Sequence, residues 1–132
     1  MIHLDANLLV DLVTIGSPGA KAVRAWLADG QQLGSSAIAW SEFCNGPLSL
    51  EQKEAAFAVL ESNIAAFTWK EAEEAARLFN LGGRRKGSHS DCMIVAAAMA
   101  AGASLATRNT EDFTRFLIYG LRLEPTPGGL KG

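Results

Sequence analysis

Short apolar runs alternate with stretches of helical spacing along almost the whole chain, and that alternation limits the folds open to it. Met1–Leu4 is mostly apolar and ends at Asp5. Ala6–Ile15 follows with apolar residues at 8, 9, 12, 13 and 15, the spacing of one helix face. Ser17-Pro18 has the form of a helix start, and Ala20, Val23, Trp26 and Leu27 mark one face of a helix that Gly30 ends. Leu33–Ala39 predicts a second strand, and Trp40–Asn45 opens a helix broken by Gly46-Pro47. Ser49–Ser62 predicts an amphipathic helix with Ala56, Phe57 and Leu60 on its apolar side. Asn63–Phe67 predicts a third strand, and Thr68 with Glu71 forms a capping box for Trp69–Leu81. After the basic turn Gly82–Gly87, Asp91–Ala101 is apolar all round beyond its first residue, which predicts a buried helix capped by Gly102. Ser104–Thr107 predicts a fourth strand, Asn109–Phe116 a turn with a short helical piece, and Tyr119–Glu124 a last edge strand.

Short apolar strands separated by helices imply an α/β protein with a parallel sheet covered on both faces and right-handed crossovers. Its 132 residues suit a single domain over residues 1–124, followed by a Pro- and Gly-rich tail at 125–132. Apolar residues make up 48% and charged residues 20%, which excludes a disordered chain. The net charge of −2 excludes a strongly basic binder but leaves room for a nucleic-acid enzyme with a local basic patch. Cys92–Thr107, the longest nearly uncharged stretch, is too short to span a membrane. The N-terminus lacks the basic and apolar regions of a secretory signal, so a cytoplasmic location is expected. Cys44 and Cys92 have no metal or redox spacing and read as buried small hydrophobes.

In a parallel α/β sheet, ligands bind beyond the carboxyl ends of the strands. Asp5 ends the first strand, Glu42 follows the second, Asn109, Glu111 and Asp112 follow the fourth, and Asp91 opens the buried helix. Segments far apart in sequence can thus deliver carboxylates to one edge. Crowded carboxylates repel unless some protonate or a cation neutralises them. An oxygen-rich set without His or Cys suits Mg²⁺ or Mn²⁺, ions that clamp phosphate oxygens and lower the pKa of water. Taken singly, each acid also has an ordinary structural role. Asp5 can cap the helix after it, Glu42 can sit in a first turn, Asp91 can close a Ser88–Asp91 capping box, and Asp112 can be a turn residue. All four border apolar segments, where an unpaired charge is costly.

Asn7 is placed either to orient Asp5 or to face solvent, and Thr107 either to hydrogen-bond a carboxylate or to serve as a plain strand residue. Arg84, Arg85, Lys86 and Arg108 can form a phosphate-facing patch or remain solvated. His3 and His89 have no metal-binding partner at a recognisable spacing. No serine-nucleophile elbow and no glycine-rich phosphate loop occurs.

The opening Ile2-His3-Leu4-Asp5-Ala6-Asn7-Leu8-Leu9, the step Ser41-Glu42-Phe43, the run Asp91–Ala98 and the stretch Ala106–Phe113 together resemble a PIN domain of the VapC toxin type. The resemblance spans nearly the whole chain. It implies a three-layer α/β/α sandwich around a central parallel sheet. It also implies a Mg²⁺- or Mn²⁺-dependent endoribonuclease of a type II toxin–antitoxin pair, acting on RNA, dimerising, and held inactive by a small VapB-like antitoxin. Position by position, Asp5, Glu42 and Asp91 match the metal-binding acids of that family. Asn109 stands where many members carry Asp, with Asp112 as the alternative fourth residue. A PIN-like binding module that does not cut, or a metal-dependent DNA nuclease or phosphatase, are the other readings compatible with the same residues.

Overall fold

The computed structural model describes residues 1–125; the tail expected at 125–132 lies outside the described residues except for its first position. In chain order the elements are β1 (Ile2–Leu4), α1 (Ala6–Leu12), α2 (Pro18–Ala28), β2 (Leu33–Ser36), α3 (Ala37–Cys44), α4 (Leu50–Leu60), β3 (Ile64–Ala65), α5 (Trp69–Leu81), α6 (His89–Ala100), β4 (Ser104–Ala106), α7 (Thr110–Phe113) and a 3₁₀ helix over Thr114–Tyr119. The strands form one parallel sheet in the order β3-β2-β1-β4. Ile2 pairs with Leu33 on one side and with Ser104 on the other, so β1 is central and joins the early part of the chain to the late part.

Side chains alternate across the sheet, and each face has its own core. On one face Ile2, Leu4 and Leu33 pack with Leu8 and Leu9 of α1, Val23 and Trp26 of α2, and Leu60 of α4. On the other, Leu105 packs with Leu78 of α5 and Val95 and Ala98 of α6, together with Phe113 and Phe116. Helix, sheet and helix are therefore stacked as the α/β/α sandwich that the resemblance implies.

The differences from the expected boundaries have local causes. α1 stops at Leu12 rather than Ile15, because the Val13 and Thr14 amides turn back onto Val10 and Asp11 and Gly16 takes a positive φ. Ile15 is left fully exposed. β2 ends at Ser36 because the Ser36 side chain accepts the Ala39 amide and starts α3 three residues earlier than expected. Helix α6 starts at His89, two residues ahead of Asp91, which draws Asp91 into its first turn. The expected edge strand at Tyr119–Glu124 reduces to a single parallel bridge between Leu105 and Leu123. Phe57 and Leu27, placed inward by their spacing, are 46% and 43% exposed. Cys92 is buried as expected, but Cys44 is exposed at the end of α3.

Two glycines are dictated by close approach. A Cβ on Gly34 would lie 2.7 Å from both the Asn63 carbonyl and Met1 Sδ, so the β2–β3 contact requires a bare backbone. A Cβ on Gly19 would collide with the Asp11 carboxylate, where α2 crosses α1.

Candidate functional site

The carboxyl edge of the sheet gathers the acids from separate elements. Asp5 follows β1 directly and is 6% exposed. Its Oδ1 accepts the Ala6 amide at 2.8 Å, so the helix-capping role is real. Its Oδ2 accepts the Thr107 hydroxyl at 2.7 Å, from the residue that follows β4. Glu42 projects from the later part of α3, outside the first turn, so the helix-start role does not apply to it. Asp91 lies in the first turn of α6, but Ser88 does not form the capping box. The Ser88 hydroxyl instead donates to the Arg85 carbonyl at 2.7 Å, which frees Asp91 from that role. Asp112 sits on α7, exposed and beside Asp91.

These carboxylates act on one another. Glu42 is held above its usual carboxylate range by burial and by the charges of Asp5 and Asp91. Asp91 is raised by burial and by Asp5 and Asp112, against the opposing pull of Arg115 and Arg85. Asp5 is raised by burial, and its hydrogen bonds from Thr107 and Ala6 work the other way. The acids therefore share one electrostatic space, whose strain a cation relieves. Among the described residues no three His, Cys, Asp or Glu side chains converge tightly enough to cage an ion by themselves. An open, all-oxygen set of this kind fits Mg²⁺, which retains several waters and takes only one or two carboxylates directly, better than an ion that needs a closed protein cage.

Behind Asp5 lies a hydrogen-bonded brace. The Thr107 hydroxyl donates to Asp5 and accepts from Asn7 Nδ2 at 3.3 Å and from the Asn109 amide at 3.1 Å. Asn7 Oδ1 takes the Arg108 amide at 3.2 Å. The Arg108 guanidinium turns inward, its Nε 3.1 Å from Asp11 Oδ2, in an ion pair whose geometry falls short of a hydrogen bond. Arg108 thus pins the loop after β4 onto α1. Arg84, with a positive φ, bonds Asn80 and lies over the Phe79 ring at the end of α5. The Asn109 side chain makes no capping bond to α7.

Arg85 and Lys86 line a small cleft of about 180 Å³ together with Ser88, Asp91, Asp112 and Arg115. Arg115 was not singled out by its sequence context. The available signal was its spacing: three residues after Asp112, it returns on the next helical turn, and its Nε donates to the Asp112 carbonyl at 3.3 Å.

Comparison with known proteins bears on the family and the fold. No curated protein matches the chain in sequence. A toxin–antitoxin complex from Klebsiella pneumoniae contains a chain 29% identical, covering 86% of this chain and 91% of its own, with a TM-score of 0.68. VapBC2 from Rickettsia felis, bound to a DNA fragment from the promoter, is 25% identical over 94% of this chain and 98% of its own, with a TM-score of 0.67. VapC20 of Mycobacterium tuberculosis, a Sarcin-Ricin loop cleaving toxin, shares the fold at 17% identity and a TM-score of 0.65, covering 95% of this chain and 100% of its own. The PIN domain family model matches residues 2–116, from β1 through to the 3₁₀ helix, and the chain belongs to the PIN domain family.

Proposed function

We propose that the protein is a divalent-metal-dependent endoribonuclease serving as the toxin of a toxin–antitoxin pair. The observation that carries the reading is the group of acids following β1 and on α3, α6 and α7, near enough that the charges of Asp5 and Asp91 raise Glu42 and those of Asp5 and Asp112 raise Asp91. The toxin–antitoxin identity of the Klebsiella and Rickettsia structures supports the biological setting, and the Sarcin-Ricin loop cleavage by VapC20, a protein of the same fold, is in keeping with an RNA substrate.

In this reading Asp5, Glu42 and Asp91 hold Mg²⁺ or Mn²⁺, Asp112 assists from α7, and Asn109 is a neutral oxygen donor at the rim. Such an ion, when bound, makes hydroxide available near neutral pH and offsets the charge of the phosphate under attack. The chain supplies the rest. Thr107 and Asn7 hold Asp5 in one orientation, Arg108 holds the loop that carries Thr107, and Arg85 and Lys86 attract the RNA strand. Arg84 helps indirectly, by fixing the turn that presents its two neighbours. The partners are RNA, a second copy of the chain, and a small VapB-like antitoxin. An apolar groove of about 430 Å³ between α3 and α4, lined by Trp40, Cys44 and Phe57, offers that antitoxin a place for an apolar segment.

The test is direct. Purified protein incubated with mixed RNA should cut it with Mg²⁺ or Mn²⁺ and not with chelator, and Asp91→Asn should slow cutting by at least ~10²-fold, as loss of a group that organises the charge at the reacting phosphate does. Equal cutting of DNA or of a phosphomonoester would replace the substrate class, and binding of RNA with no cutting in either metal would reduce the protein to a binding module.

A further inference from the structure

The cleft beside Asp91 shares Asp91 and Asp112 with the acidic group and adds cations to them. Three cations line it, Arg85, Lys86 and Arg115, against the two carboxylates of Asp91 and Asp112. Among the described residues the ion pairs are Arg77 with Glu74 and Arg108 with Asp11, so none of the three cleft cations has a carboxylate partner within pairing distance, although two carboxylates share the cavity. A guanidinium with free N–H groups can take a phosphate through two parallel hydrogen bonds.

Arg115 is fixed on several sides. Its guanidinium carbon lies 4.1 Å from the centroid of the Phe116 ring. Its Nε is tied to the Asp112 carbonyl, and Gly82 is bare where a Cβ would come to 3.2 Å from Nη1. The two terminal nitrogens donate to nothing among the described residues, leaving a planar fork already ordered. Ser88, a buried residue of the cleft wall, leads into α6, whose N-terminus has no side-chain cap.

We propose that this cleft seats a backbone phosphate of the substrate strand next to the one that is cut, with Arg115 as its fixed contact and Arg85 and Lys86 closing over it. The proposal rests on the ribonuclease reading for the word substrate. Asp91 belongs both to the acidic group and to the cleft wall, so a phosphate in the cleft lies one step along the strand from a phosphate at the acids. The cleft thereby selects a polynucleotide over a dinucleotide that has no phosphate on that side.

The experiment separates the two readings by measuring binding without cutting. A labelled single-stranded RNA of about a dozen nucleotides is titrated with protein in chelator across a range of salt. Arg115→Gln and, separately, Arg85→Gln should each weaken binding and lower the slope of log affinity against log salt by about 0.7, the value for one phosphate contact on a single strand. Arg115→Lys should restore the slope while recovering only part of the affinity, since the fork is lost. With Mg²⁺, wild-type protein should cut slowly when one neutral methylphosphonate replaces the phosphate beside the cut, and Arg115→Gln should be insensitive to it. If both glutamine variants, shown to be folded by their thermal melts, bind with wild-type affinity and slope, the phosphate seat is wrong even where cutting persists. If the slopes fall as expected but no RNA is cut, the seat stands and the ribonuclease assignment falls.

Discussion

The Thr107 hydroxyl uses its whole hydrogen-bonding capacity on the site. It accepts from Asn7 and from the Asn109 amide, so its single proton has one destination, Asp5 Oδ2. That bond lowers the Asp5 pKa against the burial that raises it. Removing it in Thr107→Val therefore raises the Asp5 pKa further, and the acidic limb of the pH–rate profile should move to higher pH. Mn²⁺ affinity, read by calorimetry, should fall by about 10–100-fold, the usual effect of deleting a hydrogen bond behind a metal-binding residue. An unchanged acidic limb would show that Thr107 is only a strand-end residue. Asp5→Asn is a cleaner probe than Asp5→Ala, because alanine also removes the acceptor of the Ala6 amide. At this level the sequence told part of the story. The position of Asp5 at a strand end predicts a helix cap, which Oδ1 makes with the Ala6 amide, while Oδ2 takes the Thr107 hydroxyl, a partner about a hundred positions away. The partnership of Arg108 with Asp11 could not be read, since the two are almost a hundred positions apart and meet only through the fold.

The elements themselves were mostly readable, because helical spacing and capping chemistry are local. Thr68 and Glu71 form their capping box as expected. Where β2 meets α3, a side chain competed for the backbone: Ser36 began α3 early and shortened β2. Strand length was overestimated for the same reason that Tyr119–Glu124 failed to become a strand, since apolar content marks burial and not a continuous ladder. Gly34 is what lets β2 and β3 approach. Gly34→Ala should destabilise the protein by about 2–3 kcal/mol, roughly 10 °C in melting temperature, because a backbone carbonyl cannot move aside as a side chain can. Urea unfolding checks this, and a loss under ~0.5 kcal/mol would mean that β3 is loosely held.

For the molecule as a whole, the acidic group works against folding. Asp5, Glu42 and Asp91 all have raised folded pKa values. The folded state therefore binds more protons than the unfolded one between the ordinary carboxylate pKa and the raised one. The resulting penalty is absent below that window, grows as pH rises through it, and is complete above it. Buried His3 runs the other way: its pKa is lowered to about 4, mainly by burial, so acid favours the unfolded chain between about pH 6.5 and 4. A comparison at pH 7 avoids that overlap. There, metal-free Asp91→Asn should melt no lower than wild type, since it removes repulsion. A saturating excess of Mg²⁺ or Mn²⁺, at about a hundred times its dissociation constant, should stabilise wild type by about 2.7 kcal/mol and leave Asp91→Asn nearly unmoved. Equal shifts in both proteins would place the ion elsewhere.

The central position of β1 has a consequence for synthesis. Its first neighbour, β2, is made soon after it, but its other edge stays open until Ser104–Ala106 emerge from the ribosome, and Thr107 and Asp112 come later still. A nascent chain halted anywhere before that point carries Asp5 and Glu42 but neither the hydroxyl that aims the first nor the helix that completes the set. On the proposed reading, such a chain lacks residues that build the site, which forms only once the segment through Asp112 has been made.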